Sequence, residues 1–159
     1  MLAVTLPVGA SQAQETIVAP DANPMDYVAY RKAVMAATQG HMNAMVTYLK
    51  SGIQVENQIA THASAISALA ISFVQSFPEG TAEIGETRAL PKIWEEIALF
   101  QEANVKAQTA AARLAEAAIT GADKTDLAAL LQTLGAACQD CHDAYYAAPA
   151  SEVVPEEAQ

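Results

Sequence analysis

Cys138-Gln139-Asp140-Cys141-His142 is the stretch on which the reading of the whole chain turns. The spacing C-x-x-C-H is the attachment signature of a c-type haem. Two thiols three positions apart can each add to one vinyl group of the porphyrin and form thioethers. The histidine after the second thiol then reaches the iron from one side. On a helix successive residues advance about 100°, so Cys138, Cys141 and His142 fall within roughly one third of the circumference and face one flat ligand. Other uses of two cysteines fit less well. A thioredoxin-like redox pair needs a βαβ setting, and no alternating β pattern occurs. A disulfide across C-x-x-C inside a helix is strained, and a complete zinc site needs a second ligand pair. The motif therefore predicts one haem c per chain, with its iron, attached through Cys138 and Cys141 and ligated by His142.

Outward from the motif, every neighbouring segment reads as helix. Asp123 or Thr125 can cap a helix carrying Leu127, Leu130, Leu134, Cys138, Cys141 and Tyr145, which Pro149 ends. Upstream, Pro91 opens a helix that runs to Thr120, with Gly121 as its C-terminal cap. Its apolar stripe is Ile93, Ile97, Phe100, Asn104, Ala107, Ala111, Leu114 and Ala118. Residues 78–90, with Gly80 and Gly85, form the longest loop. A further helix is expected over 53–77, with the stripe Val55, Ile59, His62, Ile66, Leu69 and Phe73, stopped by Pro78. Ser51-Gly52 separates it tightly from a first helix over 24–50. There Asn23 caps, Pro24 suits the first helical position and Asp26 complements the positive helix end. The stripe of that helix, Val28, Arg31, Met35, Thr38, Met42, Met45 and Leu49, advances in steps of three and four, which is bundle spacing. Helices of about 22 to 30 residues are some 33 to 45 Å long. The expected fold is all-α: a left-handed antiparallel up-down-up-down four-helix bundle with the haem near the C-terminal helix.

Composition agrees. The 159 residues suit one domain, and 52% are hydrophobic, much of this alanine, which favours helix. With 18 acidic against 8 basic residues the formal charge is -10, which argues against nucleic acid and anionic membranes as partners. Met1 to Ala13 reads as the remnant of a secretory signal peptide, with small residues at Ser11-Gln12-Ala13 for cleavage but no positive leader. It is too short to span a bilayer. Residues 14–23 read as a flexible leader, 24–149 as the bundle domain and 150–159 as an acidic tail. Export fits the motif, since covalent haem is normally attached outside the bacterial cytoplasm, and the expected location is periplasmic.

Several stretches together resemble one family. Tyr30-Arg31-Lys32-Ala33-Val34-Met35 followed by Gly40-His41-Met42, then Phe77-Pro78-Glu79-Gly80, then Pro91-Lys92-Ile93-Trp94 with Phe100, and finally Cys138 to Tyr145, are similar to the class II c-type cytochromes, the cytochrome c′ group. That group is itself a standard example of the four-helix bundle. The resemblance covers about Met25 to Tyr146. It departs near the haem: relatives often carry a basic residue between the cysteines and an arginine soon after the histidine, where this chain has Gln139 and Tyr146. No Lys or Arg follows Lys124, and Asp140 and Asp143 flank the motif, so an acidic surface is expected around the haem.

The resemblance implies that the residue four positions after Arg31, here Met35, faces the second side of the iron. A thioether suits haem iron, and His/Met ligation raises the reduction potential. The first expectation is therefore a periplasmic electron-transfer protein with His142 and Met35 as axial ligands and no enzymatic activity. The alternative is a five-coordinate, high-spin cytochrome c′ that binds nitric oxide or carbon monoxide, with Met35 an unbonded lid or a packing residue. Arg31, one turn before Met35, is expected to bond a haem propionate; otherwise it forms a surface salt bridge at the bundle rim. His62, on an inward stripe, is a weaker candidate for the iron, and His41 is expected near the surface. Trp94 and Phe100 are expected as core or haem-edge packing, and Tyr145 beside the haem. The expected partners are a redox protein with a basic docking face and, because alanine-rich helix faces pair readily, a second copy in a homodimer.

Overall fold

The computed structural model describes residues 22–147. The expected signal sequence, most of the leader, Pro149 as a helix stop and the acidic tail lie outside the described residues. The first helix, α1, spans Pro24–Lys50 as its caps dictate. The Asn23 side chain accepts from the Met25 amide at 3.0 Å, Pro24 occupies the first turn, and Lys50 sits in the last turn against the negative helix end.

The next helix is shorter than its pattern suggested. α2 covers Gln58–Ala70, and a 3-10 turn follows over Phe73–Ser76. Asn57 holds a left-handed conformation with φ 58°, which Asn tolerates and a helix interior does not. Residues 51–57 therefore form a connection, and Ile53 and Val55 are exposed rather than part of the stripe. At the other end Asn104 donates to the Ala70 carbonyl at 2.8 Å, satisfying a terminal acceptor. The chain then tightens so that both Phe73 and Phe77 are buried.

The third expected helix is broken. α3 covers Lys92–Glu95 and α4 covers Ile97–Ile119, with Glu96 at φ −123°, ψ 40° between them. The break shifts the helical phase, which leaves Ile97 exposed while Ile93 and Phe100 stay buried. Gly121, at φ 84°, closes α4 in the left-handed region that favours glycine. α5 spans Lys124–Tyr145. Asp123 is its cap, accepting from the amides of Thr125 at 2.8 Å and Asp126 at 3.0 Å. Its buried seam is Leu127, Leu131, Leu134 and Tyr145; Leu131 replaces the expected Leu130, which is only half-buried.

α1, α2, α4 and α5 form the antiparallel four-helix bundle. α1 packs along α2, α2 along α4 and α4 along α5, whereas the seam between α1 and α5 is sparse. The core divides accordingly. One cluster, built from Met45, Ile59, Ala63, Ile66, Ala111, Leu114, Leu127 and Leu134 among others, fills one half of the bundle. A second, of Val34, Phe73, Phe77, Ile93, Phe100 and Tyr145, fills the half that contains the loop and the end of α5. Aromatic edges meet there: Phe77 touches Phe73, Trp94 and Phe100, and Phe100 touches Tyr145, at centroid separations from 4.8 to 5.8 Å. Among the described residues the one β contact is an isolated antiparallel bridge between Ala89 and Tyr146. No helix among them is long and apolar enough to cross a membrane.

Candidate haem site

The open seam between α1 and α5 holds a cavity of about 700 Å³. That volume lies within the range of pockets for drug-sized and cofactor-sized ligands. Its floor and walls are mostly apolar: Met35 and Met42 from α1, Ile66 and Leu69 from α2, Phe73 and Phe77 beyond it, and Ile93, Phe100 and Ala107 from the following helices. α5 contributes Cys138, Cys141, His142 and Tyr145 to the same cavity. The helical spacing thus brings the motif to the same cavity that Met35 lines from α1.

The two thiols are free and half-buried. Burial raises both; for Cys141 burial and then the neighbouring Cys138 push the thiol up to about 11. His142 stands exposed at the mouth of the cavity. Desolvation lowers its pKa, Asp143 works against that, and Arg88 works with it. The imidazole is therefore biased toward the neutral form that ligates metal. Tyr145 is buried, packed edge-on against Phe100, and its hydroxyl faces a Glu96 carboxylate oxygen at 3.5 Å. Burial first, then Glu96, raises the Tyr145 phenol and keeps it protonated.

Arg31 lines the cavity but is only 4% exposed, so it forms no surface salt bridge. Its Nη1 donates to the Ser76 carbonyl at 3.1 Å and to Thr81 Oγ1 at 3.0 Å, and its Nη2 to the Thr81 carbonyl at 3.2 Å. The guanidinium also lies over the rings of Phe77 and Trp94, at 4.6 and 5.7 Å from their centroids. It ties α1 to the middle loop. Yet no carboxylate meets it: among the described residues the one ion pair is Lys92 with Glu96. A buried cation without a counter-charge, beside an apolar cavity that ends at two thiols and an imidazole, fits a flat hydrophobic group that carries carboxylates.

His62 and His41 stand apart from this set. Their Nδ1 atoms are 2.9 Å apart across α1 and α2, and both side chains are half-buried. His62 is engaged with His41 and does not line the cavity. The cation Arg88 was not singled out by the sequence. It lies in a loop, where no periodicity marks a residue as inward, yet it lines the cavity with Lys32. The rim is thus not acidic throughout. Asp140 and Asp143 are exposed on α5, but Lys32 from α1 and Arg88 from the loop line the cavity itself.

The profile of the family described as Cytochrome C′ matches residues 26–146. The chain belongs to the cytochrome c′ family. It is 45% identical over 132 residues to the cytochrome c′ of Rhodospirillum rubrum, covering 83% of this chain and 89% of that protein. The crystal structure of cytochrome c′ from Thermochromatium tepidum superposes with a TM-score of 0.74 at 26% identity, covering 81% of this chain and all of that one. A nitric oxide complex of a cytochrome c′ variant from Alcaligenes xylosoxidans gives a TM-score of 0.71 at 30% identity, covering 82% of this chain and 100% of that one. Membership makes this a c-type haem protein of the electron-carrying kind, and Cys138 and Cys141 are the two cysteines present for attachment.

Proposed function

We propose that this cytochrome c′ works in the periplasm with a five-coordinate haem iron. His142 would be the one protein residue that holds the iron, which would then be free to bind nitric oxide or carbon monoxide. The observation that carries the reading is that two free thiols and His142, all from α5, line one apolar cavity of about 700 Å³ that Met35 of α1 also lines. Haem iron supplies a redox-active, ligand-binding metal when bound. The protein's own part is to exclude water with the Phe73, Phe77 and Phe100 cluster, to present a neutral imidazole, and to hold Arg31 where a propionate can meet it. An apolar pocket suits small uncharged diatomic gases. The Alcaligenes relative, solved as a nitric oxide complex, supports the same reading.

The second reading, His142 with Met35 as axial pair in a low-spin electron carrier, rests on Met35 lining the same cavity as His142. The names of the relatives favour the first. The spectrum of the oxidised protein separates them. A high-spin spectrum that Met35→Ala leaves nearly unchanged is expected. A low-spin spectrum with a methionine–iron charge-transfer band, lost in Met35→Ala, would overturn the five-coordinate reading. Under either ligation the redox partner docks through a basic face, in keeping with the formal charge of -10.

A further inference from the structure

Arg88 is held in place through its side chain and its backbone, both bonded to Ala147. Its Nε donates to the Ala147 carbonyl at 2.8 Å, and its Nη2 donates to the same oxygen. The Ala147 amide returns a bond to the Arg88 carbonyl at 2.8 Å, and the Leu90 amide donates to the Tyr145 carbonyl at 3.0 Å, on either side of the Ala89–Tyr146 bridge. The loop is thereby stitched by its backbone to the last residues of the haem-bearing helix. The guanidinium cannot wander as a surface arginine does. It lies over the Tyr146 ring, 4.2 Å from the centroid, and that ring lies 5.2 Å from the His142 ring at a tilt of 36°. Cation, phenol and imidazole form one stack at the cavity mouth. Among the described residues no carboxylate pairs with Arg88.

We propose that Arg88 is a positioning residue that tunes the haem: it fixes a positive charge on the His142 side, set against the exposed Asp143 carboxylate next in the chain, and so favours the reduced iron. The proposal rests on the haem reading above but not on whether Met35 bonds the metal. Ferric haem carries one more positive charge than ferrous haem, so a fixed cation nearby disfavours the oxidised state. Partial burial limits the screening that water and salt give an exposed charge. The chain has no Lys or Arg after Lys124, so α5 itself brings no cation to this side; the loop delivers it across the fold instead.

The test is a redox titration of the holoprotein against small-molecule dyes of known potential, which donate one electron to the ferric haem. Wild type is compared with Arg88→Met, Arg88→Gln and Arg88→Lys. Retention of pigment after acidified acetone and unchanged helical content are checked in each. Neutral Met and Gln are expected to lower the equilibrium constant for reduction on the order of tenfold, whereas Lys, which keeps the charge and loses the planar stack, stays close to wild type. Gln retains a donor for the Ala147 carbonyl and serves if Met fails to fold. Equal midpoints across a folded, coloured series would overturn the proposal alone. An equal drop in all three variants would also overturn it, by assigning Arg88 a purely mechanical clamp. A protein that sheds its pigment would overturn it together with the haem reading.

Discussion

Arg31→Ala offers a demanding test of how the bundle holds its loop. The substitution removes the donors to the carbonyls of Ser76 and Thr81 and to the Thr81 hydroxyl. Each hydrogen bond from a charged group contributes about 1.5–3 kcal/mol net, but three bonds on one guanidinium do not add. Two buried carbonyls lose their guanidinium donors, while the Thr81 hydroxyl keeps its bond to the Pro78 carbonyl at 2.8 Å. Against this, the variant no longer buries a cation, which recovers part of the desolvation cost. The balance is a loss of about 3 kcal/mol, or a fall in Tm of about 6–12 °C for a chain of this size. Urea and thermal unfolding of the holoprotein measure it. Arg31→Lys keeps a charge but cannot span both Ser76 and Thr81, and it is expected to lose roughly half as much. Lys32→Ala, exposed on the next position, should stay within about 0.5 kcal/mol of wild type. A loss below about 1 kcal/mol in Arg31→Ala would refute the reasoning, because the loop would then be held without its clamp.

Three further outcomes follow from the same structure. His62, next to His41, has its pKa lowered by burial and then by its neighbour, so the unfolded chain binds that proton more tightly. Stability is therefore expected to fall as pH drops from the ordinary histidine value toward the lower folded value; His62→Gln should flatten that part of a pH-stability curve, and an unaltered slope would count against the assignment. Leu134→Ala, fully buried in the core, is expected to cost about 3–5 kcal/mol, and the half-buried Leu130→Ala less than half of that; equal costs by urea unfolding would contradict the packing. In the haem-free protein Cys141, raised from 9.0 to about 11, leaves far less thiolate than an unfolded chain. Two pKa units mean about a hundredfold less, partly offset by the greater nucleophilicity of a more basic thiolate, so iodoacetamide at pH 8 should react about tenfold more slowly than in denaturant. Native and denatured rates that coincide would dismiss the shift.

The sequence made legible whatever depends on short range. C-x-x-C-H named the cofactor because thiol chemistry and helical phase operate over five residues. α1 could be bounded at both ends because Asn23, Pro24 and Lys50 act locally. Less of the second and third helices could be read, since Asn57 permits the left-handed conformation without demanding it and Glu96 carries no sign that the chain will leave the helical region there. Val55 and Ile97 continued the apolar period on paper but fall on the far side of those breaks. The charge around the haem was the clearest gap. Chain order after Lys124 suggested acid alone, but space is filled by other segments, and Arg88 and Lys32 arrive at the mouth from a loop and from α1. The pairing of His41 with His62 was hidden for the same reason, because it depends on the relative rotation of two helices.

The seam where α1 meets α5 is the least tightly packed in the bundle, and it is also the one that closes over the cavity. Its two sides are synthesised far apart in time, since α1 leaves the ribosome well before α5. Bringing them together demands closure of a long stretch of polypeptide, a slow and entropically costly event. A nascent chain with α1, α2 and α4 alone has no thiol to offer a porphyrin. Attachment through both thiols can therefore occur only after translation has passed Cys141, which makes doubly attached pigment a marker that nearly all of the final helix has been made.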